Sequence, residues 1–542
     1  MEFDLIIKNA TIVTAAEILP AGLSIGVKDG KISCIASSLP VSSSTKIIDA
    51  DGAYVTPGGV DSHVHLAQDN APTGDGFLTG TRSALAGGTT TVLAFASQKR
   101  TDESLFPIVE EYHRRSCGQS YVDYGFHIIL SNPTEKILNE LPLLIEKEGI
   151  TSVKLYMTYV PLKLSDGDLL DVMMKTRELG MTTMIHAENS DMIDMITKRL
   201  LANSHATPGY HAIARPQLAE TEATYRAISL STLTSTPILL VHMSSPPAIN
   251  HVRKSQKHLL PIHAETCPHY LYLLSSSLGP TALDPDKHSH CSHDDLWSGA
   301  RNVCAPPLRH SPTDLTSLWK SLNNNTINVV SSDHAPSTFN HPDGKLKPLT
   351  LSSTSSSPPT FTMIPNGLPG LETRLPLLFS AATTPSLTSP SLNSQASISL
   401  PRFVALTSTT PATLYGLSDR KGSITPGLDA DIVIWYPANH TNAKTTIQNQ
   451  NLHHSIDYTP FEGLQVGNWP RYVLLRGQVV WDKDGDLGGA KGLVGDEKMG
   501  RYLKRGRGRV VVGNGGVMGE SGGDMEENVP VGMREGEREL WM

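Results

Sequence analysis

Pro57-Gly58-Gly59-Val60-Asp61-Ser62-His63-Val64-His65 closes a β-rich opening segment, and its reading decides the fold. Tyr54 to His65 reads as one short apolar strand that runs into a polar loop. Side chains alternate along an extended strand, so His63 and His65 point to one face and Val64 to the other. Two imidazoles on one face of a strand end can reach a single metal ion.

Upstream of this stretch, residues 1–55 carry short β-type runs such as Leu5-Ile6-Ile7 and Lys46-Ile47-Ile48, cut by the hairpin signals Asp29-Gly30 and Asp51-Gly52. Downstream the rhythm changes to apolar strands separated by helical segments. After Tyr54 to His65, the candidate strands are Thr89 to Phe95, Gly125 to Leu130, Ser152 to Met157, Thr182 to His186, Ile238 to His242, Ile262 to Thr266 and Asn328 to Asp333. With the first, these make the eight strands that a closed barrel requires. Pro401 to Leu417 reads as helix, and GSITPGLDADIVIWYP and Tyr472 to Trp481 return to turn-and-strand character. The expected fold is therefore α/β. A (β/α)8 TIM-type barrel spans 56–409, beside a β-sandwich domain built from both chain ends, 1–55 and 410–482. Within the barrel, 344–360 and 381–400 are rich in Ser, Thr and Pro and read as mobile surface insertions with little to bury. The Gly-rich segment 483–542 reads as a largely flexible tail, or an arm laid across a neighbouring subunit.

Composition narrows the function classes. A net charge of −8 offers no basic patch for nucleic acid. No apolar run approaches the roughly 18 residues needed to span a bilayer, so no membrane partner is expected. Five scattered cysteines fit neither a disulfide framework nor a Cys-based zinc knuckle, and point to a reduced, cytoplasmic setting.

Polar residues recur where the candidate strands end: His63 and His65, Lys154, His186 with Glu188 nearby, His242, and Asp333 followed by His334. In a barrel those ends meet at one face. Four histidines and a carboxylate suit zinc, and manganese and cobalt share the ligand chemistry. Lys154 is the odd member, because an ammonium cannot bind metal. A carbamate on the same lysine would be an anion with two oxygens able to bridge two ions; a salt-bridging lysine is the plainer alternative.

With these residues in place, the chain resembles the dihydropyrimidinase and hydantoinase branch of the cyclic amidohydrolases. The resemblance covers about residues 3 to 480 through ordered motifs: GGVDSHVH, ALAGGTT, SVKLYMTY, HAENSDMI, HMSS, ETCPHYL, NVCAPPLR, SSDHAP, IPNGLPGLETR and KGSITPGLDADIVIW. It implies two divalent metal ions per subunit. His63, His65, Lys154 as N6-carboxylysine and Asp333 would hold the more buried one, and the same lysine, His186 and His242 the second. It implies that a hydroxide shared by the ions opens a cyclic amide. Asp333 would carry the proton to the leaving nitrogen, and Tyr159 would donate to the developing oxyanion. Backbone atoms at Ala305 and Asn366 would read the N–C=O edge of the ring. The family often has Ser where Ala305 stands, a mild departure if the contact is through backbone.

The implied substrate is a small cyclic ureide or imide: a 5,6-dihydropyrimidine, as in pyrimidine degradation from dihydrouracil to N-carbamoyl-β-alanine, or a 5-substituted hydantoin. The implied assembly is a homotetramer. Dihydroorotases carry an arginine shortly after the paired histidines, whereas Leu66-Ala67-Gln68-Asp69-Asn70 has no cation. Allantoinases lack the tyrosine matching Tyr159, but Gly76 to Thr81 is somewhat allantoinase-like, which keeps that activity as the second reading. A non-catalytic scaffold would show eroded ligands, and every ligand position here is filled.

Overall fold

The computed structural model describes residues 2–281, 293–354, 358–388 and 395–508, with the backbone of 511–512 and 516–517. The chain opens with β1 (Leu5–Ile12), β2 (Leu23–Lys28), β3 (Lys31–Ala36), β4 (Lys46–Asp49) and β5 (Tyr54–Pro57). The β2–β3 hairpin turns on Asp29 (φ 51) and Gly30 (φ 76), both left-handed, which matches the twist of the paired strands. Eight strands follow: β6 (Gly59–Val64), β7 (Thr89–Ser97), β8 (Asp123–Ile129), β9 (Ser152–Tyr156), β10 (Thr182–His186), β11 (Ile238–Leu240), β12 (Ile262–Thr266) and β13 (Val329–Val330). They pair in sequence order, all parallel, and Val64 bridges His334 to bring the two ends of the sheet together. This is the expected (β/α)8 barrel. Its helices carry the local signals that start and stop them. In Asp166–Leu179, Ser165 and Asp168 form a reciprocal cap and Gly180 (φ 66) ends the helix in the left-handed region.

The chain then returns to the first sheet with β14 (Ile432–Trp435), a ribbon of β15 (Thr445–Thr446) and β16 (Gln465–Val466), and β17 (Pro470–Leu475), β18 (Gln478–Asp482) and β19 (Gly492–Leu493). Both chain ends thus build one nine-stranded sheet, β19-β18-β17-β14-β5-β1-β2-β3, with β4 on β1. The register of β1 shifts between Ile7 and Ala10, where Asn9 has φ 56. β2 pairs with β1 on both sides of the shift, while the other neighbour changes from β4 before it to β5 after it. Residues from both halves, among them Ile7, Ile25, Val55 and Ile432, share one core. Trp435 stacks flat on Phe379 at 3.7 Å, and Lys421 reaches both Asp123 of the barrel and Asp431 of the sheet domain at 2.7 Å.

Three expectations change. Tyr54 to His65 is two strands: β5 pairs with β14 in the sheet domain, and β6 opens the barrel. The break falls at Gly58, where an added Cβ would lie 2.2 Å from Thr90 Oγ1. Two domains press together there, and only a residue without a side chain fits between them. The Ser/Thr/Pro-rich stretches also bury more than expected. Lys345 is fully enclosed, as are Ala381 and Ala396. Residues 347–354 form a helix. Finally, the segment after 483 is not loose up to 508. Leu503 is buried, Tyr502 donates to Glu148 O at 2.8 Å, and Arg505 donates to Ser152 Oγ at 2.9 Å. Leu503 joins Ala412, Leu414, Tyr415 and Leu417 against the interior residues Val60, Leu93, Met184 and Leu239, at the end of the barrel where the strands begin. The parts of the expected insertions at 355–357 and 389–394, and the tail beyond 517, lie outside the described residues.

Gly58→Ala should lower stability by about 1–3 kcal/mol, the usual effect of overpacking. Gly58→Ala with Thr90→Ala should recover part of the loss. Denaturant midpoints of the two variants and the parent check both statements, and an unchanged midpoint for Gly58→Ala would refute the packing argument.

Candidate metal centre

The carboxyl ends of the barrel strands bring together all six residues expected to bind metal. His63 lies in β6 with His65 just beyond it, Lys154 in β9, His186 at the end of β10, and His242 and Asp333 just past β11 and β13. His63, Lys154, His186 and His242 are buried, and His65 and Asp333 nearly so. Nε2 of His63 lies 3.2 Å from both Lys154 Nζ and Asp333 Oδ1, and His65 Nε2 is 3.5 Å from the same carboxylate oxygen. The rings of His186 and His242 sit 4.4 Å apart, and those of His63 and His242 5.4 Å apart. His242 (φ 40), Asp333 (φ 45) and Tyr159 (φ 66) all hold left-handed backbone, a strained state that persists only where packing enforces it.

Two of the imidazoles are aimed by carboxylates that the sequence reading gave no role. Glu265, at the end of β12, meets His63 Nδ1 at 2.6 Å, so that ring presents Nε2 to the cluster. Glu188 meets His186 Nε2 at 2.8 Å and is itself held by Arg215 Nη1 at 2.8 Å. A carboxylate on one ring nitrogen sets the tautomer and leaves a lone pair on the other, the arrangement typical of metal-binding histidines. Glu265 could have been found from its place: the one carboxylate in β12, next to the last residue of the strand. Arg215 had no such signal, because its contact depends on a separate segment folding over β10. Cys267 and His269 also come near Asp333, within 4.8 Å.

Burial keeps three of the imidazoles neutral, and neighbouring charges keep the carboxylates ionised. It lowers His65 to about 4 although Asp333 opposes the shift, and lowers His186 and His242 as well. Burial would raise Glu188, but the Arg215 charge and His186 hold it down at about 2. Burial also acts to raise Asp333, and His63 and His65 outweigh it and keep the carboxyl ionised. For Lys154 burial dominates and pulls the ammonium down to about 8, against the charges of Asp333 and Glu265. A neutral amine is the form that can add carbon dioxide. His242 Nδ1 is buried with no hydrogen-bond partner. Neutral imidazoles, an ionised carboxylate and an unpartnered ring nitrogen in one cluster fit a divalent metal site.

Of the six candidate ligands, all but Lys154 line a cavity of about 540 Å³, with Tyr159, Ala305 and Asn366. Burial pushes the Tyr159 phenol well up, so it stays a donor, and its ring meets His186 edge-on at 5.4 Å. Asn366 Oδ1 is buried without a partner. His334, next to Asp333, is occupied elsewhere. Its Nε2 meets Asp75 at 2.9 Å, and its Nδ1 accepts from Gly370 N and Leu371 N. With both ring nitrogens engaged, it is a structural residue rather than a reserve proton carrier.

Residues 54–480 match the amidohydrolase family model. D-hydantoinase from Ralstonia pickettii is 37% identical across 93% of this chain and 99% of its own length. D-hydantoinase from Geobacillus stearothermophilus is also 37% identical, across 92% and 96%. The crystal structure of dihydropyrimidinase from Brevibacillus agri superposes with a TM-score of 0.80 at 34% identity, covering 93% of this chain and 99% of that one. Taken with the convergent histidines and carboxylates, these similarities establish that the chain belongs to the amidohydrolase family, in the hydantoinase and dihydropyrimidinase branch of the cyclic amide hydrolases.

Proposed function

We propose that this enzyme opens the ring amide of a 5,6-dihydropyrimidine or a 5-substituted hydantoin, using two divalent ions, zinc first among them. The observation that carries the reading is the meeting of six potential ligands, two of them aimed by buried carboxylates: five line one cavity, and Lys154 lies against His63 beneath them. His63, His65, Lys154 and Asp333 would hold one ion, and Lys154, His186 and His242 the other. Lys154 would serve both as a carbamate, an anion in place of an amine that cannot ligate. A pair of divalent ions supplies ionisation of a water near neutral pH and polarisation of the carbonyl under attack.

The chain's own residues do the rest. Asp333, ionised and 3.2 Å from His63 Nε2, takes a proton from the attacking water and returns it to the leaving ring nitrogen. Without that return the leaving group would be an amide anion. Tyr159, held protonated by burial, donates its phenolic hydrogen to the oxygen that gains charge. Ala305 and Asn366 line the cavity where the ring's own N–C=O edge must find partners once water is excluded. The presence of Tyr159 in the cavity favours this reading over allantoin hydrolysis.

We place the enzyme in the cytoplasm, in keeping with the free cysteines among the described residues, and assign it a homotetrameric assembly. A soluble protein whose light scattering gives a monomer near 58.5 kDa would rule out that assembly.

A hydrolysis panel tests the substrate. Dihydrouracil or a 5-substituted hydantoin should be opened, and turnover confined to allantoin or dihydroorotate would overturn the assignment. Metal analysis should find close to two divalent ions per chain, with activity lost on chelation and regained on adding metal. Lys154→Ala should lose both metal and activity, and a small carboxylic acid should restore part of each. Active, unchelated protein with no metal would end the metal hypothesis.

Asp333→Asn keeps the shape and an oxygen but cannot cycle a proton, so turnover should fall by about 10²–10⁴-fold. Tyr159→Phe removes one donor and should cost about 10²–10³-fold in turnover with metal content unchanged. Near-parental turnover in a metal-loaded Asp333→Asn would place the proton carrier elsewhere.

A further inference from the structure

The two segments expected to read the ring come from distant parts of the chain, yet they are fastened at one point. Lys345 Nζ lies 2.8 Å from Val303 O, 2.7 Å from Pro365 O and 2.6 Å from Gly367 O. All three ammonium hydrogens are thus spent on backbone carbonyls. The side chain is fully buried, is not among the residues lining the cavity, and has no carboxylate partner among the described residues. Gly367 N also donates to Val303 O at 3.1 Å, joining the segments directly.

The neighbouring carbonyls are taken as well. His211 Nε2 meets Cys304 O at 2.8 Å, and Tyr270 donates to Pro306 O at 2.6 Å. The carbonyls of 303, 304, 306, 365 and 367 are therefore anchored from behind. Ala305 and Asn366 lie between these anchors and face the cavity.

The lysine reaches this place through a turn that excludes side chains. A Cβ on Gly344 would lie 1.9 Å from Thr338 O, and the Lys345 N–H donates to that same carbonyl at 2.8 Å. A buried ammonium without a counter-ion is costly unless it is fully hydrogen-bonded. Burial pulls Lys345 down to about 7, opposed by Cys304, and the three carbonyls favour the charged form. If joining two loops were the whole role, an apolar side chain would do it at lower desolvation cost. Three carbonyls converging on one ammonium set the distance between the segments.

We propose that Lys345 is a positioning residue for ring recognition, holding Ala305 and Asn366 at the separation that the N–C=O edge of the cyclic substrate spans. This rests on the function proposed above. Lys345 touches neither substrate nor metal ligands, so its loss should loosen binding of the ring while leaving the metal centre and the proton-carrying Asp333 intact.

Steady-state kinetics of the metal-loaded full chain separate this role from simple support of the fold. Lys345→Met should raise KM for the best ring substrate by about ten- to a hundredfold, the worth of one or two misplaced recognition bonds, with kcat within a few-fold. Metal content should stay at the parental value. The ratio of kcat/KM between six- and five-membered rings should change, because a relaxed separation no longer fits one ring size. Lys345→Gln keeps two N–H donors and should show the same split to a smaller degree; it also serves if Lys345→Met does not fold. An unchanged KM with reduced kcat or reduced metal in either variant overturns the proposal, as does failure of both to fold, which would make Lys345 a support of the fold alone. A parental enzyme inactive on every ring is a distinct result: the function reading fails and this inference falls with it.

Discussion

Inside the seam where the barrel closes, Arg374 Nε lies 3.1 Å from Asp61 Oδ2, and both side chains are wholly buried. The last barrel strand is only two residues long, so a backbone ladder cannot secure closure alone. The pair makes up for it. Arg374 donates to Val330 O at 3.0 Å on the last strand and to Thr89 Oγ1 at 3.0 Å on the second. The other oxygen of Asp61 accepts from Ser332 N at 3.1 Å and His63 N at 3.3 Å. First and last strands are thereby fixed to each other within one or two residues of His63, His65 and Asp333. Two charges out of water are expensive; their attraction and the hydrogen bonds on Arg374 Nη1, Arg374 Nη2 and Asp61 Oδ1 offset part of that expense, while the facing Nε and Oδ2 are held by charge alone. Burial pulls the guanidinium down, and Asp61 and Glu265 pull it back.

The metal cluster inherits that rigidity. Each left-handed backbone at Tyr159, His242 and Asp333 costs about 1–3 kcal/mol. Such strain survives when the surroundings over-determine the position, and the closed seam does so for Asp333. The same enclosure keeps His65, His186 and His242 neutral. Glu265 serves both purposes, since it aims His63 and lies among the charges that oppose the loss of a proton from Lys154 and Arg374. Closure and chemistry therefore share side chains, and a change to one acts on the other.

The opposite end of the barrel is sealed by chain that comes late in the sequence. Residues 412–417 and Leu503 pack under the interior, and Arg505 reaches Ser152 Oγ at the start of β9. The cavity lies at the other face, where the strands end. The sheet domain is tied on by the stacking of Trp435 on Phe379 and by Lys421, whose ammonium neutralises a cluster of carboxylates from both domains.

How far the sequence reaches depends on how local each cause is. Strands announce themselves by apolar, β-branched runs, and all eight barrel strands were readable in this way. The convergence of the six candidate ligands was readable too, because a polar residue at the end of an apolar strand stands out, and barrel topology sends such residues to one face. Not readable was anything whose cause is a neighbour distant in sequence. The break at Gly58 exists because Thr90 arrives against it. Arg215 matters because Glu188 lies beside it. Lys345 looked like one cation in a Ser/Thr/Pro-rich surface stretch until carbonyls from two distant segments met around it. The stretch through Leu503 and Arg505 lacked apolar density of its own and is ordered by the barrel mouth it fills. The sequence alone determined the element types, the barrel and which side chains are candidate ligands, since those follow from backbone periodicity and residue chemistry. Tertiary structure alone decided which partner aims each ligand, where the first strand divides and what fastens the pocket, since those follow from contacts that no local pattern encodes.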